Sequence, residues 1–390
     1  MPTEPRDDAI ALLHLLFAGG ASAPRRRLLD NWQSPLAALS ASVTSWRDAG
    51  LDDAQIGALR RPPPRSALAR ALDWLDRESH HVIGWHDADY PPPLREAASP
   101  PLALFVSGDP ALLWRPSVAV VGSRTPSPGG RDHAIRFAHA LSAAGLVVGS
   151  GLAAGVDTAA HEATLRQGGH TFAVLGTGPD TAYPATNIGL HARIAGLGAL
   201  VSEHPPGTPA RKEHFPTRNR ILAGLSLGTV VIEAAARSGA LITARLAAEA
   251  GREVFALPGS IDNPHARGCH RLIRDGALLV ETPEEIVEVL APLAGRLAGD
   301  LRQRLPAPIT GRNDSAAVAF LSGPPGPPVI PPPRGDDYNT LWRALGHDPT
   351  DMDELAQRTG LTPAALSSML LLMELEGHVA ARHGRYHRSR

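Results

Sequence analysis

Arg218, Asn219 and Arg220 stand in one run, HFPTRNR at residues 214–220, with Phe215 three positions ahead of Arg218. A guanidinium is a planar fork of N–H donors that matches phosphate oxygens, and a flat ring matches the face of a base. The apolar run Thr229–Ile232 follows and ends on Glu233, so these groups belong beside a buried strand. The same residues could instead begin a surface helix, its arginines paired with Glu203, Glu213 or Glu233 and Phe215 plugging the core. The run alone leaves both readings open.

The elements that would position it are legible on either side. From Ser117 onward the chain alternates apolar runs with helical stretches. The runs are 118–121, 146–148, 171–175, 199–201, 229–232, 253–256 and 277–280. The helical stretches are 131–144, 158–166, 187–196, 218–225, 240–250 and 269–275. Apolar strands separated by helices predict an α/β fold with a mostly parallel sheet covered on both faces. Such sheets hold ligands at the carboxyl ends of their strands. Here those ends carry Gly122-Ser123-Arg124, Ser150-Gly151, Gly176-Thr177-Gly178, Ser202-Glu203, Ser238-Gly239 and Pro258-Gly259-Ser260. Glycine admits close approach of a backbone, and amides at a helix start hold anions. Six such loops on one edge predict a phosphate-lined face. Neither GxGxxG nor a GxxxxGK[ST] loop occurs there, so neither a dinucleotide cofactor nor ATP hydrolysis is expected. Arg124 places a cation where a dinucleotide loop needs glycine, which suits a phosphate lying on the loop. Arg252, just before a strand, could extend the basic patch or merely solvate a helix end.

The 390 residues suffice for two to three domains. A net charge of −1 gives no global basic field, so any nucleic-acid contact must come from a local patch. A single cysteine, Cys269, excludes an intramolecular disulfide and a cysteine-built metal site, and fits the cytoplasm. No apolar run reaches the length of a membrane span. Residues 1–78 read as a small helical module, in which Arg25-Arg26-Arg27 follows a Gly- and Ala-rich loop. That run could hold phosphates or be a solvated charge run on a linker. Residues 79–295 read as the sheet domain, entered through a Pro-rich extended segment. Residues 296–335 read as a Pro-rich linker. Residues 336–390 read as a winged helix: Asp351 and Thr362 cap two helices, Gly360 separates them, and a hairpin follows. The second helix, PAALSSMLLLMELE, offers nothing to read base edges, while the hairpin carries Arg382, Arg385, Arg388 and Arg390.

The middle of the chain resembles the DNA-processing protein A family (DprA, also called Smf). The resemblance lies in VAVVGSRTPSPGG, GLAAGVDTAAHEATL, VLGTGPDTAYPATN, SEHPPGTPARKEHFPTRNRILAGLS, EAAARSGALITARLAAEAGREVFALPGS and RGCHRLIRDGA, which nearly fill residues 118–277. It implies an extended Rossmann-like fold, here in a long form. That form adds an N-terminal module of SAM or helix-hairpin type and a C-terminal winged helix. Family members often carry a Gly-x-Gly hairpin in the first module, where this chain has Gly-Gly-Ala-Ser-Ala-Pro. The resemblance also implies single-stranded DNA binding, homodimerisation and loading of a RecA-type recombinase in natural transformation. Gly122, Ser123, Arg124, Phe215, Arg218, Asn219 and Arg220 would line the DNA pocket. Ser150, Gly151, Ser238 and Gly239 would add amides and hydroxyls.

Asp157 and His161, four apart, could share a metal, but no third ligand is placed, and the simpler reading is a helix cap with a packed histidine. No cofactor and no catalytic set are expected. The alternative is a nucleotide-processing enzyme similar to lysine-decarboxylase-like phosphoribohydrolases, with Glu233 behind Gly228-Thr229. A third reading takes the winged helix for that of a transcription factor.

Overall fold

A computed structural model describes residues 5–304, 337–346, 348–375, 378–382 and 385–388. It contains two compact units, the first reaching Ala294 apart from Ser127–Gly129.

The first unit is built on nine strands: β1 (His80–Gly84), β2 (Ala103–Gly108), β3 (Ser117–Val121), β4 (Val147–Ser150), β5 (Thr171–Val174), β6 (Ala199–Ser202), β7 (Gly228–Val231), β8 (Glu253–Ala256) and β9 (Leu278–Leu279). They join in the order β1-β2-β6-β5-β4-β3-β7-β8-β9. Strands β3 to β9 pair in parallel, and β1 and β2 add antiparallel to one margin. Every residue of β3 through β7 is buried, as expected of strands covered on both faces. Each expected strand of the parallel part is present. The difference lies at the entry: Ala103–Gly108 is not laid along the domain but hydrogen-bonds to β6 as a full member of the sheet. Its alternation was hidden because all six of its residues are buried.

Strand order reverses at β3. The chain runs outward through β4, β5 and β6, then returns to place β7 on the other side of β3. That reversal opens a crevice beyond the carboxyl ends of β3 and β7, the position where doubly wound sheets bind ligands. Helices Pro128–Ala143, Val156–Arg166, Ile188–Leu197, His214–Leu225 and Gly239–Glu249 supply the covering layers. A core that includes Val121, Phe172, Val174, Val201, Ile221, Leu222 and Val231 fixes the sheet against them.

Residues 5–75 form short helices around Leu12, Leu15, Leu28, Leu29, Trp46 and Ile56. Asp52 and Gln55 form a reciprocal capping box at Asp53–Leu59. The arginine run is committed to backbone carbonyls rather than free for a strand, although Arg27 is exposed. Arg25 is buried and donates to the carbonyls of Leu15, Leu16, Gly20 and Ala21. Arg26 donates to Pro100 and Arg27 to Ala49. Helix ends and tight loops leave carbonyls without partners, and these guanidinium groups satisfy them.

The helix Pro283–Arg304 continues through residues 296–304, where the linker was expected to begin. The remainder of that linker, 305–335, lies outside the described residues. In the second unit, helices Asp337–Ala344, Met352–Thr359 and Pro363–Leu375 pack around Leu341, Leu355, Leu366, Leu370 and Met373. Asp351 caps the second helix, and Gly360 ends it in the left-handed region. Strands β10 (Thr350–Asp351), β11 (Val379–Arg382) and β12 (Arg385–Arg388) form a small sheet in the order β10-β12-β11. This is a winged helix. Its hairpin is less basic than the sequence suggests, because Arg388 lies 4.4 Å over the Trp342 ring and donates to that residue's carbonyl. Arg390 and the hairpin turn lie outside the described residues. Among the described residues, no helix is long and apolar enough to cross a membrane.

His161 makes acid stability a test of this packing. It is fully buried on the helix Val156–Arg166, its Nδ1 2.7 Å from Thr171 Oγ1. Burial first, and the Arg218 charge second, push its pKa from 6.5 down to about 3. The unfolded chain therefore takes up a proton, between those values, that the folded chain refuses. Stability from this group is complete above pH 6.5 and is lost as pH falls, by about 1.4 kcal/mol per pH unit. Urea unfolding from pH 7.5 to 5 should show a falling midpoint, and His161→Gln should flatten that fall. Equal slopes in both proteins would assign the acid sensitivity elsewhere.

Candidate nucleic-acid interface

A trough of about 650 Å³ occupies the crevice beside β3 and β7. Its floor depends on glycine. A Cβ on Gly122 would lie 2.7 Å from Val156 Cγ2, and one on Gly155, whose φ is +84°, would lie 2.4 Å from the Ser123 carbonyl oxygen. These two clearances let the loop after β3 sit directly on the start of the helix Val156–Arg166. Ser123 is buried in that loop; its Oγ accepts from the Thr125 N–H and lies 3.3 Å from His265 Nδ1.

Arg218 sits beneath the trough rather than on its rim. It is buried, and its Nε donates to Asn219 Oδ1 at 2.9 Å. Its Nη1 donates to the carbonyls of Gly151, at 2.7 Å, and Val174. Burial lowers its pKa to about 10, with the Arg124 charge adding in the same direction and Asp157 opposing. Asp157 is itself buried, its carboxylate accepting from the N–H groups of Gly151 and Ala153. Desolvation pushes its pKa up, and Arg218 counters that. Asn219 thus orients Arg218. Gly151 is there for clearance, since a Cβ would fall 1.9 Å from Arg218 Nη2.

The exposed cations of the trough are Arg124, Lys212 and Arg237. None of the three makes a hydrogen bond or ion pair among the described residues. Arg124 was expected there. Lys212 and Arg237 were missed, although the chain's single lysine three positions before Phe215 was a visible signal. Phe215 lines the trough, half-buried, with its ring centroid 5.0 Å from that of Tyr183. Tyr183 is 47% exposed and was also missed. Ser238 and Gly239 line the opposite wall, where Ser238 Oγ caps the helix Gly239–Glu249 by accepting from the Ala240 N–H.

Three expected contacts lie elsewhere. Ser150 is fully buried in β4 and donates to the Val120 carbonyl across the sheet at 2.7 Å. Arg220, on another side of the helix His214–Leu225, forms an ion pair with Glu203 at 2.6 Å. Arg252 precedes the amino end of β8, at the opposite sheet edge, and bonds to the Pro93 carbonyl and Glu96. Glu233, which the enzyme alternative requires, is buried and accepts from Asn263 Nδ2 at 2.9 Å. Among the described residues, no group of His, Cys, Asp and Glu could hold a metal ion.

Known proteins place this arrangement in a family. Residues 81–291 match the family of DNA recombination-mediator protein A, and residues 324–385 match the DprA winged helix domain. Protein Smf of Escherichia coli K12 is 40% identical over 332 residues, which span 84% of this chain and 82% of that protein. The DNA processing protein DprA of Streptococcus pneumoniae R6 is 47% identical over 52% of this chain and 71% of its own length. A crystal structure of S. pneumoniae DprA superposes with a TM-score of 0.64 at 36% identity, covering 71% of this chain and 95% of that one. The structure of Helicobacter pylori DNA processing protein A, described for its single-stranded DNA binding mode, superposes at 0.50 with 29% identity, covering 55% of this chain and 96% of that one. With the family match spanning its sheet and the winged helix following, the chain belongs to the DNA recombination-mediator protein A family.

Proposed function

We propose that this protein binds single-stranded DNA in the trough and acts as a recombination mediator, not an enzyme, in the cytoplasm. In natural transformation it would protect incoming DNA and load a RecA-type recombinase onto it. The observation that carries the reading is the trough itself: three uncommitted cations and a paired aromatic platform on a glycine floor. Cations that track phosphates, with rings that stack bases, make a sequence-tolerant grip on an unpaired strand. The H. pylori relative described for single-stranded DNA binding supports the same reading. Gly122, Ser123, Gly239 and Ser238 would face the strand, with Arg218, Asn219 and Gly151 holding the floor beneath it. The protein would act as a homodimer. Leu278 and Leu279 of β9, exposed on a strand that pairs on one side only among the described residues, are where we place the second copy. Leu278→Glu combined with Leu279→Glu should then run as a monomer in size-exclusion chromatography, and an unchanged elution would refute that placement.

Binding to oligo-dT should fall steeply with salt. Each of Arg124→Ala, Lys212→Ala and Arg237→Ala should reduce the log–log slope by about 0.7, the value of one phosphate contact on a single strand. Phe215→Ala should cost roughly 1–3 kcal/mol of binding with the slope intact. Fluorescence anisotropy across a salt series reads both, and parental slopes in all three cation variants would sink the site.

Arg218→Ala should behave differently. It leaves the buried carbonyls of Gly151 and Val174 without their donor and removes a charge that steadies Asp157, so roughly 1–3 kcal/mol of folding stability should go with it. Urea unfolding measures this; parental stability with weakened DNA binding would return Arg218 to the rim.

A further inference from the structure

A second cavity, of about 370 Å³, lies between the helical module and the sheet. Ser22 and Arg25 reach it from the helix Ser22–Trp32, Glu203 and His204 from the segment after β6, and Arg220 from the helix His214–Leu225. The donors here outnumber the acceptors. Arg220 Nη2 is taken by Glu203 Oε2, but its Nη1 is buried without a partner. His204 Nε2 is likewise buried and unpartnered, its ring stacked on His214 at 3.9 Å. Arg25 directs four N–H bonds to carbonyls, which leaves one N–H over and its charge unmet by any carboxylate among the described residues. Arg26 adds a third guanidinium nearby: burial lowers its pKa, Tyr90 and Asp30 oppose that, and the Arg220 charge adds to it. Glu203 is the single carboxylate in the lining.

Burying donors without acceptors is costly, and native proteins seldom do so away from a ligand. An ordered water could accept from one of them but brings no charge to meet the guanidinium groups. A phosphate brings both charge and several acceptor oxygens, and guanidinium forks match it. The cavity volume falls at the lower end of the range for small-ligand pockets. His204 enters as a neutral donor, since burial first, and then the charges of His214, Arg220 and Arg211, push its pKa down to about 4.

We propose that this cavity binds a phosphate group through Arg220 Nη1 and His204 Nε2, with the buried Arg25 charge beside them. Two sources share that chemistry: the terminal phosphate of a DNA strand and a free mononucleotide. The proposal stands apart from strand binding in the trough, which uses other residues.

The full-length protein would be titrated with inorganic phosphate and with dTMP, against chloride at matched ionic strength, reading the melting temperature. A saturable rise is expected in the parent and in Arg124→Ala, and its loss in Arg220→Gln. No saturable rise with either anion overturns the site, as does a rise that survives Arg220→Gln or disappears in Arg124→Ala. Should Arg220→Gln fail to fold, Glu203→Gln retains the cation and removes its competitor. It should bind phosphate more tightly, and unchanged or weaker affinity would overturn the proposal. Oligo-dT with a 5′-phosphate, compared with its 5′-hydroxyl counterpart, separates the sources. A gain of about 10-fold for the phosphorylated strand, the worth of one charge-assisted hydrogen bond, that vanishes in Arg220→Gln assigns the cavity to strand ends. Equal binding of both strands with a saturable response to dTMP assigns it to the free nucleotide.

Discussion

The buried guanidinium of Arg218 is the constraint on which the ligand edge depends. It ties the carbonyl after β4 to the carbonyl that ends β5, is oriented by Asn219, and faces the Asp157 carboxylate. Asp157 in turn gathers the amides of Gly151 and Ala153. One cation thus ties together the loop after β4, the end of β5 and the start of the helix Val156–Arg166. Buried charges that meet in this way do little for net stability compared with apolar packing, and their better-attested use is to specify one arrangement. Here the arrangement specified is the floor of the trough. A fixed charge beneath it also means that the rim cations need not be fixed themselves. Arg124, Lys212 and Arg237 can stay solvated and mobile until an anion arrives.

The sheet was legible because its signal is redundant. The parallel strands are mostly apolar, and most are followed by a glycine-bearing turn and a helix, so period and punctuation agree. The strand order was not written there. Only the pairing of β3 with both β4 and β7 creates the crevice, and pairing is a long-range property. The two antiparallel strands at the entry were hidden by proline-rich flanks, which read as extended chain whether or not a sheet lies alongside.

The site was legible in kind and less so in person. Residue type showed that arginines and an aromatic ring stand near a strand end, but not which side of a helix each faces. Arg218 and Arg220 are two positions apart on the helix His214–Leu225, about 200° around its axis, so they cannot share one surface. One went to the sheet interior and the other to Glu203. The same ambiguity affected Arg25, Arg26 and Arg27, which face loop and helix-end carbonyls. Lys212 and Arg237 lie in loops, where no periodicity says what a side chain will face.

A general criterion emerges from comparing these arginines. A guanidinium has five N–H vectors, and its role follows from how many of them the fold has already claimed. Arg25 and Arg218, with several carbonyls each, are structural, and their burial would make ligand contact expensive. Arg124 and Arg237, with none, are available to a polyanion at the cost of side-chain entropy alone. Arg220 is the intermediate case: one nitrogen is held by Glu203 while the other is withheld from both water and protein. A half-claimed, half-buried guanidinium carries a cost of about 1–3 kcal/mol that a ligand would relieve, which is why Arg220, expected in the trough but paired with Glu203, becomes the most informative arginine of the cavity beside the helical module.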